Sequence, residues 1–192
     1  MAKILKQEQV ILGVDPGTNV MGYGAIQETK DGLVLLGLGS VHFRRSEDSI
    51  QKLQRIQQSM LELIDSYLPD VIAIEAPFYG KNIQSMLKLG RAQGVAMASG
   101  MMRDIPVFEY APTSVKLAIT GSGKSSKEQV GAMALRMVKK VPRDAQLDAT
   151  DALAIGICHT LRQHLPGETK KKGKKPSSDW GSFLKNNPDR ER

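Results

Sequence analysis

The sequence predicts a mixed α/β layer fold, a five-stranded mixed sheet flanked by helices. Three observations carry that expectation. Short apolar runs bounded by turn residues open the chain, three of them in succession. A long stretch with apolar residues at helical spacing separates them from a fourth run. A fifth run lies between further helical stretches, giving the order βββαβαβαα and a last helix. With 192 residues and 41% hydrophobic content, the chain is long enough for one domain with a real core.

Val10, Ile11, Leu12, Gly13 and Val14 make the first strand, apolar throughout and suited to cover on both faces. It ends at Asp15, where Pro16-Gly17 turns the chain. A second strand follows over 21–26, with Gly22 and Gly24 leaving its backbone approachable. Asp31-Gly32 reads as a hairpin turn into a third strand over 33–43, so the first three strands form an antiparallel meander. Over 46–67, Ile50, Leu53, Ile56, Met60, Leu63 and Ile64 recur at helical spacing. Ser46, Glu47, Asp48 and Ser49 suit the start of that helix. Pro69-Asp70 then leads into Val71, Ile72, Ala73 and Ile74, a buried fourth strand closed by Glu75. The strand–helix–strand order favours a right-handed crossover, with the fourth strand parallel in the same sheet. Parallel neighbours end on one side, so Asp15 and Glu75 are expected at one rim.

The second helix, over 82–103, carries Gly90, Gly94 and Ala98 at four-residue spacing. Each interior glycine costs about 1 kcal/mol relative to alanine. Close approach by the chain's own sheet or by a partner helix would offset that. A fifth strand is expected over 105–110, a short helix over 112–119 and a longer one over 126–140. After the break at Pro142 a last helix covers 148–164. From Pro166 onward the sequence, with KKKGKK, prolines, serines and few aliphatics, has no core to build. The expected division is a folded domain over 1–165 and a basic, disordered tail over 166–192.

The charge balance is +7 with a pI of about 9.5, which favours a polyanionic partner. Residues 164–192 hold +4 of it, yet the body stays at +3 although it also carries the acids discussed next. The first eight residues are polar and no apolar core of a signal peptide follows them. The longest apolar run, around 94–102, is far short of the ~20 residues that span a bilayer. A single cysteine, Cys158, excludes an internal disulfide and fits a reducing compartment. The expectation is a cytoplasmic protein of bacterial type with no membrane attachment.

Asp148 and Asp151 stand at i and i+3 on the last helix, which puts both side chains on one face with Cβ atoms about 5–6 Å apart. Alone, Asp-x-x-Asp also works as an N-terminal cap, just as Asp15-Pro16-Gly17 alone also simply turns the chain. Taken with Asp15 and Glu75, the pair completes the oxygen-rich set that hard divalent cations need. Four convergent acids without metal would repel strongly, which is the reason to expect Mg²⁺. Two such ions about 3.5–4 Å apart activate an attacking water and stabilise the leaving 3′ oxygen of a phosphodiester displacement. His159 lies roughly 12 Å beyond Asp151 along the helix axis, too far to share a metal, and is expected in the core. Glu109 also ends an apolar stretch and is the competing carboxylate.

Beyond these spacings, the chain resembles the RuvC family, bacterial Holliday-junction endonucleases of the ribonuclease H-like superfamily. The strand and helix order matches that superfamily's arrangement. The matching stretches are ILGVDPGTNVMGYG, DVIAIEAPF with KN and SMLKLGRAQGVA after it, PVFEYAPTSVK, KSSKEQV and LDATDALAIGICH, in unbroken order over roughly residues 10–163. In that family four acids carry two Mg²⁺ per active site, with Mn²⁺ as the alternative ion. The matching positions are Asp15, Glu75, Asp148 and Asp151, none of them substituted. The resemblance implies a homodimer that cuts four-way junction DNA by paired symmetric nicks, leaving 5′-phosphate and 3′-hydroxyl ends, in recombination and repair. It further implies that Lys116 and Lys127 hold backbone near the scissile phosphate, that Phe78 stacks on an unpaired base near the crossover, and that cutting favours a short thymine-containing site. Tyr79, Lys81, Lys88 and Arg91 stand nearby as further DNA contacts. The RuvA–RuvB branch-migration complex is the implied partner. For the lysine-rich tail, contact with that complex and nonspecific attraction to DNA both stay open.

Other readings have weaker signatures. The stretch from Ala118 to Ser125 imitates a phosphate-binding loop, but it lacks the first glycine and connects two helices where such a loop should follow a strand. An Asp-x-Gly-Thr loop also opens actin-like and sugar-kinase ATPases, which need a second such domain that 192 residues leave no room for. A module that binds branched DNA through charge alone needs none of the four acids.

Overall fold

The computed structural model describes residues 8–44, 46–77, 82–141 and 149–163. Three strands open the chain, β1 (Gln9–Asp15), β2 (Val20–Thr29) and β3 (Gly32–His42), followed by α1 (Ser49–Tyr67), β4 (Val71–Glu75) and α2 (Ile83–Met101). Then come β5 (Val107–Tyr110), α3 (Pro112–Thr120), α4 (Lys127–Met137), β6 (Val138–Lys139) and α5 (Thr150–Gln163). The sheet order is β5-β4-β1-β2-β3-β6. β1 and β3 pair antiparallel with β2, while β4 runs parallel to β1 and β5 parallel to β4. The described chain up to Arg162 is one compact unit.

The two faces of the sheet explain why its central strands are apolar throughout. Leu12, Val14, Ile72 and Ile74 point into a core with Ile56, Met60 and Ile64 of α1 and Ala92 and Ala96 of α2. Their neighbours Ile11 and Ala73 point the other way, into a core with Val115, Ile119, Val130, Ala134, Leu153 and Ile157 from α3, α4 and α5. With side chains alternating between faces and both faces covered, no position between Ile11 and Val14 is left for a polar residue. The first polar side chain therefore arrives at the strand's end.

Two expectations are corrected. The sheet has six strands where the sequence predicts five, because the helix expected to reach residue 140 stops at Met137. β-Branched Val138 goes extended, buries its side chain and pairs with Leu33 at the open edge of β3. The first helix begins at Ser49, and not at 46, because the Asp48 carboxylate accepts from the Gln51 amide while the Gln51 side chain closes the capping box. The expected tail over 166–192 lies outside the described residues.

Candidate active site

Asp15 and Glu75 end adjacent parallel strands. Their last paired neighbours are Val14 and Ile74, so the next residue of each strand meets at the rim. The two carboxyls are near enough to shift each other's proton affinity. Burial, then the negative charge of Asp15, then the bond it donates to Asp15, push the Glu75 carboxyl up to about 8. Asp15 is raised as well, by burial first and the nearby Asp151 charge second. Both shifts run toward the neutral forms, the response of like charges brought together in a half-buried place.

α5 brings Asp151 to them. A Cβ on Gly13 would lie 2.0 Å from the Ala152 carbonyl oxygen, and one on Gly24 would lie 2.8 Å from the Leu153 Cα. Only glycine lets the helix lie this close to β1 and β2, and Asp151 is the residue just before that contact. The Asp151 carboxylate accepts from Lys127 Nζ at 2.7 Å. That hydrogen bond, first among the causes, raises Lys127 above the ordinary lysine value against the opposing effect of its own partial burial. Lys127 thus carries the positive charge closest to the acids. It stands at the first position of α4, whose cap, Ser126, is locked by a capping box with Gln129.

Glu75 and Lys127 separate two depressions. A cleft of about 430 Å³ is lined by Asp15, Pro16, Gly17, Ala76, Leu89 and Gln93 as well. On the other side, Lys116, Asp151 and Val130 help enclose about 60 Å³. Gln93 is a residue the sequence reading missed. It is 6% exposed and its amide donates to the Glu75 carbonyl at 3.1 Å and to the Glu109 carboxylate at 2.5 Å. The signal was a lone polar side chain between Ala92 and Ala96 on the covered face of α2. Glu109, the competing acid, is engaged there.

Of the expected site residues, the structure brings Asp15, Glu75, Asp151 and Lys127 together and sets Lys116 beside them. Among the described residues, no three acidic, histidine or cysteine side chains cluster closely enough to hold an ion. Asp148, Phe78, Tyr79 and Lys81 lie outside the described residues. His159 is where core packing puts it. It is 1% exposed, hydrogen-bonded through Nδ1 to the Tyr110 hydroxyl at 2.7 Å, and burial lowers it to about 4. The loop around Gly121 and Gly123 connects α3 to α4, so the phosphate-loop reading lacks its strand.

An antiparallel three-stranded meander, a crossover to parallel strands and carboxyls at their common rim define the ribonuclease H-like class of α/β protein. The family described as "Crossover junction endodeoxyribonuclease RuvC" matches residues 11–159. The protein of that name from Bacteroides fragilis is 48% identical over 186 residues, 96% of each chain, and that from Porphyromonas gingivalis 46% over 189 residues, 97% of this chain and 98% of that one. The structure of T. thermophilus RuvC in complex with Holliday junction substrate is similar with a TM-score of 0.73 at 27% identity, covering 81% of this chain and 94% of that one. The chain belongs to the RuvC family of crossover junction endodeoxyribonucleases.

Proposed function

We propose that this protein is a divalent-metal-dependent endonuclease that resolves four-way DNA junctions by paired symmetric nicks, leaving 5′-phosphate and 3′-hydroxyl ends, in recombination and repair. The observation that carries the reading is the Asp15–Glu75 pair. Two carboxyls brought to one cleft by the ends of adjacent parallel strands, both pushed toward their neutral forms by burial and by each other's charge, cost stability. A cation between them would turn the cost into binding energy.

The donor set fits Mg²⁺. It is all oxygen, held on stiff strand ends and a helix entry, and rich in negative charge. Asp15, Glu75 and Asp151 would hold the ions, with Asp148 from the resemblance as the fourth ligand, and Mn²⁺ is the alternative. A pair of such ions held there would supply activation of a water and neutralisation of the departing 3′ oxygen. The protein's own groups do the rest. Lys127 holds Asp151 in place and offers its remaining donors to a phosphate oxygen, and Lys116 adds a second cation on the same side. Phe78, with Tyr79 and Lys81 beside it, is assigned to a base and the backbone at the crossover.

Two cuts related by symmetry need two active sites, hence a homodimer. Its contact is assigned to the small-residue face of α2. Among the described residues, a Cβ on Gly90 or Gly94 would meet nothing within 4 Å, so the described sheet does not use that face. Residues 1–165 are read as the nuclease domain and 166–192 as a basic tail for DNA or for the RuvA–RuvB complex. The setting is the bacterial cytoplasm, which buried Cys158 suits. No helix among the described residues is long and apolar enough to cross a membrane.

The test is incubation of the full chain with a synthetic four-way junction and a matched linear duplex, with and without Mg²⁺. Cutting of the junction alone, only with the ion, and its loss in Asp15→Asn while binding persists, is the expected result. A mutant that still cuts removes Asp15 from the metal site. ATP hydrolysis without DNA would revive the kinase-like reading.

A further inference from the structure

The loop after β1 divides two clefts. Asp15, Pro16 and Gly17 line the one already described, and Thr18 and Asn19 line the next, which has about 400 Å³ and lies against α1 and α2. Leu89 borders both, so the two clefts adjoin. From residue 15 to residue 19 the backbone spans at most ~14 Å.

Three charged side chains line the second cleft: Lys52, Lys88 and Glu47. Glu47 is cancelled from within the fold, since Arg55 binds it at 2.6 Å and its own side chain is only 14% exposed. Lys52 reaches no acid in the cleft. Its Nζ meets the neutral Asn19 side chain at 3.5 Å. Lys88 is exposed on the facing helix. The hydroxyls of Ser49 and Ser85 stand between them in the first turns of α1 and α2, where the helix dipoles add positive potential. What remains is a groove part polar and part aliphatic, with two ammonium groups along it, next to the acidic cleft. Ammonium groups and hydroxyls along one groove are the chemistry that holds a phosphodiester backbone.

We propose that this α1–α2 cleft is a backbone subsite for the cut strand. It takes phosphates a few nucleotides from the scissile one, with Lys52 and Lys88 as their counter-charges. The inference rests on the nuclease reading and adds to it where the strand goes. It also explains how a centre of three or four acids attracts a polyanion at all: the cations stand beside the acids along one track.

The test uses the full chain without divalent cations, so that nothing is cut, and measures junction affinity against salt for the natural protein and for Lys52→Gln with Lys88→Gln. Each phosphate contact contributes about 0.9 to the slope of log affinity on log salt. The double variant is expected to lose about 1.8 of slope and about tenfold in affinity at fixed salt. In a second measurement, single uncharged methylphosphonate linkages are placed one at a time along the cut strand. The natural protein should lose affinity at positions a few nucleotides from the cut, and the variant should not lose it again there. An unchanged slope, or equal losses by both proteins at every position, overturns the subsite. Because these measurements need no cutting, they stand apart from the Mg²⁺ experiment, whose failure would remove the nuclease reading instead.

Discussion

Gly13 on β1 has α5 packed so closely that an added Cβ would lie 2.0 Å from the Ala152 carbonyl oxygen, whereas Gly94 on α2 has nothing within 4 Å of the same imaginary atom. Both glycines sit in regular elements, where each costs backbone entropy. At Gly13 the return on that cost is inside the chain. Helix and strand backbones touch, and Asp151 is delivered to the rim where Asp15 and Glu75 end. At Gly94 none of the described residues repays it. The same residue type therefore marks a finished contact in one place and an open one in the other, and only the neighbours tell them apart.

Filling the finished contact should have the largest effect. Gly13→Ala forces α5 off the sheet, a backbone clash at or beyond the upper end of the ~1–3 kcal/mol that overpacking costs. It should lower the melting temperature by several degrees, and a shift of about 1 Å in Asp151 should cost about a hundredfold in junction cutting. Normal melting and cutting would show that the close approach is not needed. Gly94→Arg should leave the melting of the protomer nearly unchanged and move sedimentation from dimer to monomer. An intact dimer would place the contact on another face.

Glu75→Gln sharpens the comparison at the acidic rim itself. The folded Glu75 carboxyl holds its proton up to about 8, against about 4.5 when unfolded. Between those values the unfolded chain has released a proton that the folded one retains, so stability of the metal-free protein falls as pH rises through that window. The Gln variant should show a shallower fall, melt higher than the natural protein near pH 8, and cut no junction. A parallel pH dependence in both would remove the strain assigned to the pair. The smallest effect belongs to Gly90→Ala, which should gain at most about 1 kcal/mol of helix stability. A loss of protomer stability there would mean the face is already packed.

Much of the fold is legible because burial on both faces leaves strands no polar residue until they end. Val10–Val14 and Val71–Ile74 read as buried runs, and their first polar residues, Asp15 and Glu75, follow directly. Nonlocal choices were not legible. Val138 reads as helix by its neighbours and becomes strand because β3 offers an unpaired edge. Gln93 looks like one polar residue in a small-residue helix until its amide is seen to bridge the Glu75 carbonyl and Glu109. Lys127 reads as a phosphate contact, and its bond to Asp151 depends on how α4 lies against α5.

Local sequence by itself determined which residues end strands, which cap helices and which stretches are apolar, since all of these are set by neighbours a few positions away. It also sufficed to show the family. Tertiary structure alone decided that the Asp15 and Glu75 carboxyls meet at one rim, that Asp151 is answered by Lys127, and that Gly90 and Gly94 face outward. Those depend on distances of a few ångströms between segments remote in the chain, and electrostatic and packing energies change steeply over such distances.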